Sequence, residues 1–176
     1  YIAFRAADPE PAKIRARFAD RDIPIDDDTV GVFIDPFLDG RRAFQFRINP
    51  LGVQMDAVNS DVDGSEDFAW DAIWESAGRV TAEGYEVEVA LPFRQLRLPG
   101  AGGVQTWGFM ATRDWPRSIR ERMRSIDTDP DRNCTICQLQ ELTGLQGMET
   151  GRNLEIAPTL TGNLSEERQG FPDGRF

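Results

Sequence analysis

Residues 25–40, IDDDTVGVFIDPFLDG, set three aspartates at the entrance to an apolar alternation and two more, Asp35 and Asp39, at its exit. In an extended backbone Asp26 and Asp28 share one face while Asp27 looks the other way. Such carboxylates can begin a calcium site. A hard cation takes roughly six to eight oxygens, so Asp35, Asp39 or backbone carbonyls would have to complete the shell around Asp26 and Asp28. The same side chains have a plainer use as turn caps and as charge that discourages edge pairing. A second acidic stretch, NSDVDGSED at 59–67, places Asn59, Asp61, Asp63 and Gly64 as in the first half of a calcium-binding loop. Trp70 stands where that loop needs its bidentate Glu, and no helical pattern flanks it, which favours a solvated loop.

Aromatic residues beside planar polar groups form the other chemical constellation. A sugar offers an apolar C–H face ringed by hydroxyls, which suits a flat aromatic flanked by Asp, Asn, Gln or Arg. FAWDAIWESAG supplies Trp70, Asp71 and Trp74, and WGFMATRDWPR supplies Arg113 and Trp115. These five are the candidate carbohydrate ligands. Trp107 lies in phase with Phe109 and reads as core.

The two cysteines, Cys134 and Cys137, are spaced CTIC. One pair cannot complete a four-ligand zinc site unaided, and the βαβ setting of a redox CxxC is missing. A small-loop disulfide in an oxidising compartment or two free thiols remain.

Composition closes several routes. The chain has no histidine, which excludes Ser-His-Asp and Cys-His catalysis and imidazole metal sites. A formal charge of −10, with Lys13 the only lysine, argues against nucleic acid as a partner. No motif marks a catalytic carboxylate pair of the glycosidase kind, so the expectation is a non-enzymatic protein. No apolar run approaches the roughly 20 residues of a spanning helix; no signal-peptide pattern stands in the given residues, and a truncated start would have removed one. The sequence opens at Tyr1, without Met, on the strand-like YIAFRA; this reads as a fragment whose first strand has lost its beginning.

These side chains must be positioned by strands. Val30, Val32 and Ile34 alternate; Phe44, Phe46 and Ile48 follow after the turn residues of DPFLDGR; Val53 and Met55 begin a third run. Tyr85, Val87, Val89 and Leu91 line a fourth, with Glu86 and Glu88 opposite, and Trp107, Phe109 and Ala111 a fifth. Half-buried antiparallel strands have this period. The expected fold is all-β, an antiparallel β-sandwich of jelly-roll type. One short surface helix is expected in DPEPAKIRARFADRD (8–22), where Asp8 could cap and Ile14 and Phe18 stand at i, i+4. In the tail, NLEIAPTLTGNL alternates over about 11 residues, the length of a tilted outer-membrane barrel strand but also of an ordinary edge strand.

Two motifs carry a family resemblance. GRVTAEGYEVEVALPFRQLRL followed by VQTWGFMATRDWPR resembles the signature of family 9 carbohydrate-binding modules. Glu88, Ala90, Leu91, Pro92 and Phe93 match its E-x-A-I-P-F strand end, and Trp107, Gly108, Phe109 and Arg113 match its W-G-x-N-x-x-R; Met110 replaces the Asn. DDDTVGVFIDPF is similar to the module's earlier D-D-x-x-x-x-F-I-D segment, and the likeness covers residues 1–125. RAFQFRINPLGVQMDA, WDAIW, CTICQLQELTGLQGMETGRNLEIAP and the alternating tail resemble a bacterial subgroup in which the module precedes an outer-membrane β-barrel domain of unknown function. The resemblance implies a periplasm-facing sandwich at 1–150 and, at 151–176, the start of a barrel whose first strand covers 152–164. It also favours the Cys134–Cys137 disulfide. It implies polysaccharide or oligosaccharide binding tied to carbohydrate catabolism or glycan uptake, with calcium as the one cofactor some members hold. The family's two sugar-clamping tryptophans do not both find matching positions here. The alternative is a structural, plug-like accessory domain for the barrel, without a sugar site.

Overall fold

A computed structural model describes residues 1–23, 26–100, 103–148, 158–159 and 161–162. The strands are β1 (Ile2–Ala7), β2 (Thr29–Asp35), β3 (Arg42–Ile48), β4 (Gln54–Ser60), β5 (Ser65–Asp67), β6 (Glu75–Thr81), β7 (Gly84–Ala90), β8 (Gln105–Pro116), β9 (Arg120–Arg124) and β10 (Gln140–Leu145). They form two antiparallel sheets. The smaller runs β1-β7-β6; the larger runs β10-β8-β2-β3-β4-β5, with β9 hairpinned onto β8. The all-β sandwich expected from the alternation is the fold of this chain. Among the described residues no helix is long and apolar enough to cross a membrane. The barrel strand expected at 152–164 falls, but for four positions, outside the described residues.

The period-two pattern explains the core. Val30, Val32, Ile34, Phe46, Ile48 and Trp107 from the large sheet meet Ala6, Tyr85, Val87 and Val89 from the small one, with Ala72, Trp74 and Leu96 filling in from the connections. Glu86 turns outward to Arg5 and Arg79, as strand parity requires. The far face of the large sheet is covered as well: Phe33, Ala43, Met110 and Ile136 make a second, smaller cluster there. Every residue of β2 is buried as a result.

Connections tie the sheets together. Where β6 passes the β3–β4 turn, Gln54 Nε2 donates to Trp74 O at 3.0 Å and Ser76 Oγ to Gly52 O at 2.7 Å. A Cβ on Gly78 would lie 2.6 Å from Pro50 O, so only glycine permits this approach.

The helix expected over 8–22 does not form; the segment holds a single 3-10 turn at Pro11–Lys13. Side-chain acceptors take the helix's donors. Arg15 N donates to Asp28 Oδ2 and Arg17 N to Asp27 Oδ2, each at 2.8 Å, while Asp28 N returns a bond to Arg15 O at 2.9 Å. Ile14 packs on the core and Phe18 points to solvent at 82% exposure, so the i, i+4 pair is split.

Candidate functional site

The acidic mouth of β2 is structural scaffolding. Asp28, fully buried, accepts from Arg117 Nη1 at 2.9 Å and Nη2 at 3.2 Å. Asp27, also buried, takes Arg17 Nε and Asn49 Nδ2, both at 3.1 Å. Asp26 alone faces water, pairing with Arg120 at 3.0 Å. At the other end of β2, Asp35 accepts from the N–H groups of Phe37, Leu38 and Gly40 at 2.9–3.0 Å, capping the turn in which Leu38 and Gly40 have positive φ. The metal set Asp26, Asp28 and Asp35 is therefore not brought together, because turn N–H groups and arginines already hold its oxygens. The 59–67 stretch likewise becomes the β4–β5 hairpin. Asp63 caps Ser65, which holds its carboxyl down at about 2, and Asp61 Oδ2 accepts from Thr135 N and Ile136 N.

A different trio meets, which the spacing did not reveal: Asp22, Asp56 and Asp71 place one oxygen each within 4.8 Å of the others. Arg21 sits among them. Its Nη2 donates to both Asp56 oxygens at 2.6 and 2.8 Å and to Ala72 O at 2.6 Å, and its Nε lies 2.9 Å from Asp22 and 3.7 Å from Asp71. Burial, and then the neighbouring Asp56 carboxylate, push the Asp22 carboxyl up. Asp71, a sugar-ligand candidate by sequence, belongs to this cluster.

Of the other sugar-ligand candidates, Trp74 is corrected to core. It is 5% exposed and packs edge-on against Phe46 at 5.4 Å, because the alternation of the 70–74 segment turns Ala72 and Trp74 inward. Arg113 and Trp115 meet at Asp8. Arg113 Nη2, Trp115 Nε1 and Arg117 Nη2 all donate to Asp8 Oδ2, at 2.9, 2.8 and 2.6 Å. The Arg113 guanidinium lies over the Tyr85 ring at 5.4 Å and that of Arg117 over Trp115 at 5.0 Å. Burial raises the Tyr85 hydroxyl beyond its ordinary range. Trp115 borders a cleft of about 510 Å³, but its edge and one face are taken by Asp8 and Arg117.

Trp70 differs. It stacks at a tilt on Phe44, centroids 4.8 Å apart, and meets Phe46 edge-on at 5.9 Å. With Phe44 and Phe37 it lines a cleft of about 430 Å³ whose polar members are Arg42, Arg97, Asp39 and Asp67. Connections and strands build it together: the β2–β3 turn brings Phe37 and Asp39, β3 brings Arg42 and Phe44, β5 brings Asp67, the segment after β5 brings Trp70, and the segment after β7 brings Arg97. Buried Leu96 anchors that last segment beside Arg97. Sequence reasoning found Trp70 alone of this group. The cleft pairs an aromatic lining with planar donors and acceptors, the combination that holds a flat, hydroxylated ligand. Trp115 lies toward the Thr29 end of β2 and Trp70 toward the Ile34 end, so the five sequence candidates do not converge on one site.

No family model, curated protein or solved structure matches this chain.

Proposed function

We propose that this chain is a non-catalytic carbohydrate-binding domain that takes a glycan in the Trp70 cleft. The observation that carries the reading is the lining of that cleft, in which Trp70, Phe44 and Phe37 stand beside Arg42, Arg97, Asp39 and Asp67. The resemblance of the β7 end and of β8 to family 9 carbohydrate-binding modules supports it. An oxidising cell-envelope setting, with a barrel following the sandwich, agrees with the Cys134–Cys137 disulfide, whose Cα atoms are 5.7 Å apart. Calcium belongs to the proposal only as a structural ion outside the cleft.

The test is affinity electrophoresis through gels cast with a panel of polysaccharides, with and without a calcium chelator, comparing the parent chain with Trp70→Ala. Retardation by at least one polysaccharide, lost in the variant, supports the reading. Uniform mobility in every gel refutes it in favour of an accessory domain of an outer-membrane barrel. That second reading draws support from three of the four tryptophans, Trp74, Trp107 and Trp115, being committed to packing or internal bonds.

A further inference from the structure

Arg42 and Arg97 are both exposed, yet neither makes a hydrogen bond or ion pair through its side chain among the described residues. In a chain with 30 acids against 20 bases, several arginines are claimed from within the fold: Arg21, Arg113, Arg117 and Arg122 each hold a buried carboxylate. These two are unclaimed and sit on fixed backbone. Arg42 opens β3, paired with Ser60, and Arg97 follows the buried Leu96 and the 3-10 turn Phe93–Gln95. The two carboxylates of the same cleft are half used. Asp39 Oδ1 accepts from Arg41 N at 2.9 Å and Asp67 Oδ1 from Ala69 N at 3.0 Å, which leaves one oxygen of each for a ligand hydroxyl.

We infer that the glycan bound in the Trp70 cleft carries an isolated anionic unit, a uronate carboxylate or a sulfate ester, held by Arg42 and Arg97. This rests on the carbohydrate reading of the cleft. A guanidinium presents parallel N–H groups that match a carboxylate or sulfate edge and gain more from it than from a neutral hydroxyl. The free oxygens of Asp39 and Asp67 suit hydroxyl donors and repel a second anion. The −10 charge of the whole chain acts the same way over longer range. The geometry therefore selects a mostly neutral chain with single acidic units over a continuous polyanion.

Isothermal titration of the full chain tests this with four probes: a pentasaccharide with one glucuronate unit, the same compound with that carboxyl reduced to the alcohol, its counterpart with one sulfate ester, and a galacturonate pentamer. A charge-assisted bond predicts that the glucuronate or the sulfated compound binds about tenfold more tightly than the reduced one. In Arg42→Ala/Arg97→Ala the preference shrinks to about twofold or less, within the spread of such contacts. Whichever anion binds better identifies its source. Both replaced side chains are exposed, and an unchanged thermal midpoint verifies that the variant folds. Equal binding of acidic and reduced forms overturns the inference while leaving the carbohydrate reading intact. Tighter binding of the galacturonate pentamer also overturns it. If none of the four binds while a polysaccharide gel still retards the parent chain, the inference alone falls; if no gel retards it either, the carbohydrate reading falls with it.

Discussion

The indole N–H of Trp115 donates to Asp8 Oδ2 at 2.8 Å, joining the end of β8 in the large sheet to the residue that follows β1 in the small one. Asp8 also receives Arg113, Arg117 and the backbone N–H of Glu10, so one carboxylate closes this end of the sandwich. Burial alone would raise its pKa; the Glu10 and Trp115 donors and the charges of Arg117 and Arg113 outweigh that and hold it low. A group whose folded pKa is depressed contributes stability above its ordinary value, and this is lost as pH falls through the folded value. Asp8→Asn keeps the shape and loses the charge, at a cost of about 3 kcal/mol near neutral pH. Urea melts across a pH series should show the gap between parent and variant narrowing in acid. A gap that is constant with pH contradicts the assignment.

Trp70 and Trp74 lie four residues apart and do different work. Trp74 is core, and Trp74→Ala should cost roughly 3–5 kcal/mol. Trp70 is half-buried at the cleft, so Trp70→Ala should cost about 1–2 kcal/mol while removing glycan retention. Denaturant midpoints and affinity gels run side by side separate the two; equal destabilisation would mean that Trp70 is core as well.

Arg21 and Asp22 are neighbours whose replacement should move stability in opposite directions. Arg21→Met strands the fully buried Asp56 among two other carboxylates and should cost about 3 kcal/mol. Asp22 has a raised pKa, chiefly from burial. A raised folded value means that folding disfavours the ionised form, so this stability is present below the ordinary carboxyl range and lost as pH rises through the folded value. Asp22→Asn keeps an acceptor for Asp56 N and suits the positive φ of 64°. It should raise the thermal midpoint at neutral pH and lose that advantage in acid. A lowered midpoint at neutral pH would show that the bond to Arg21 outweighs desolvation.

The disulfide brackets Ile136, which plugs the outer cluster with Phe33, Ala43 and Met110. Replacing both cysteines by serine opens a small ring worth about 2 kcal/mol at most. Hydrogen exchange should quicken at Thr135 and Ile136, whose N–H groups bond Asp61, and stay slow in β2. Uniform loss of protection would make the disulfide a global staple instead.

Strands β2, β3, β7 and β8 were legible because one face of each meets the main core and writes a period of two into the chain; β4 showed itself only through Met55, which is buried opposite Arg47 on the outer face. Strand β9, RERMR, was not, since all five of its residues are exposed and only its pairing with β8 defines it. Strand β10, QELTGL, hid for a similar reason: its first five residues are exposed and only Leu145 touches the core. The helix expected at 8–22 failed because Asp27 and Asp28 compete for its backbone donors, a contact that local pattern cannot encode. The cleft was legible only at Trp70: Phe37, Arg42 and Arg97 come from three separated segments, and their meeting is a property of topology.

Thr29 pairs with Asp114, and the other six rungs of β2 against β8 also join residues far apart along the chain. A ribosome delivering this protein must therefore complete most of the sandwich's sequence before β2 acquires its second neighbour. Until then one edge of Val30, Val32 and Ile34 stays open to any passing strand. Such long-range closure folds slowly, on the order of milliseconds to seconds, and makes nascent-chain protection during that interval a requirement of this architecture.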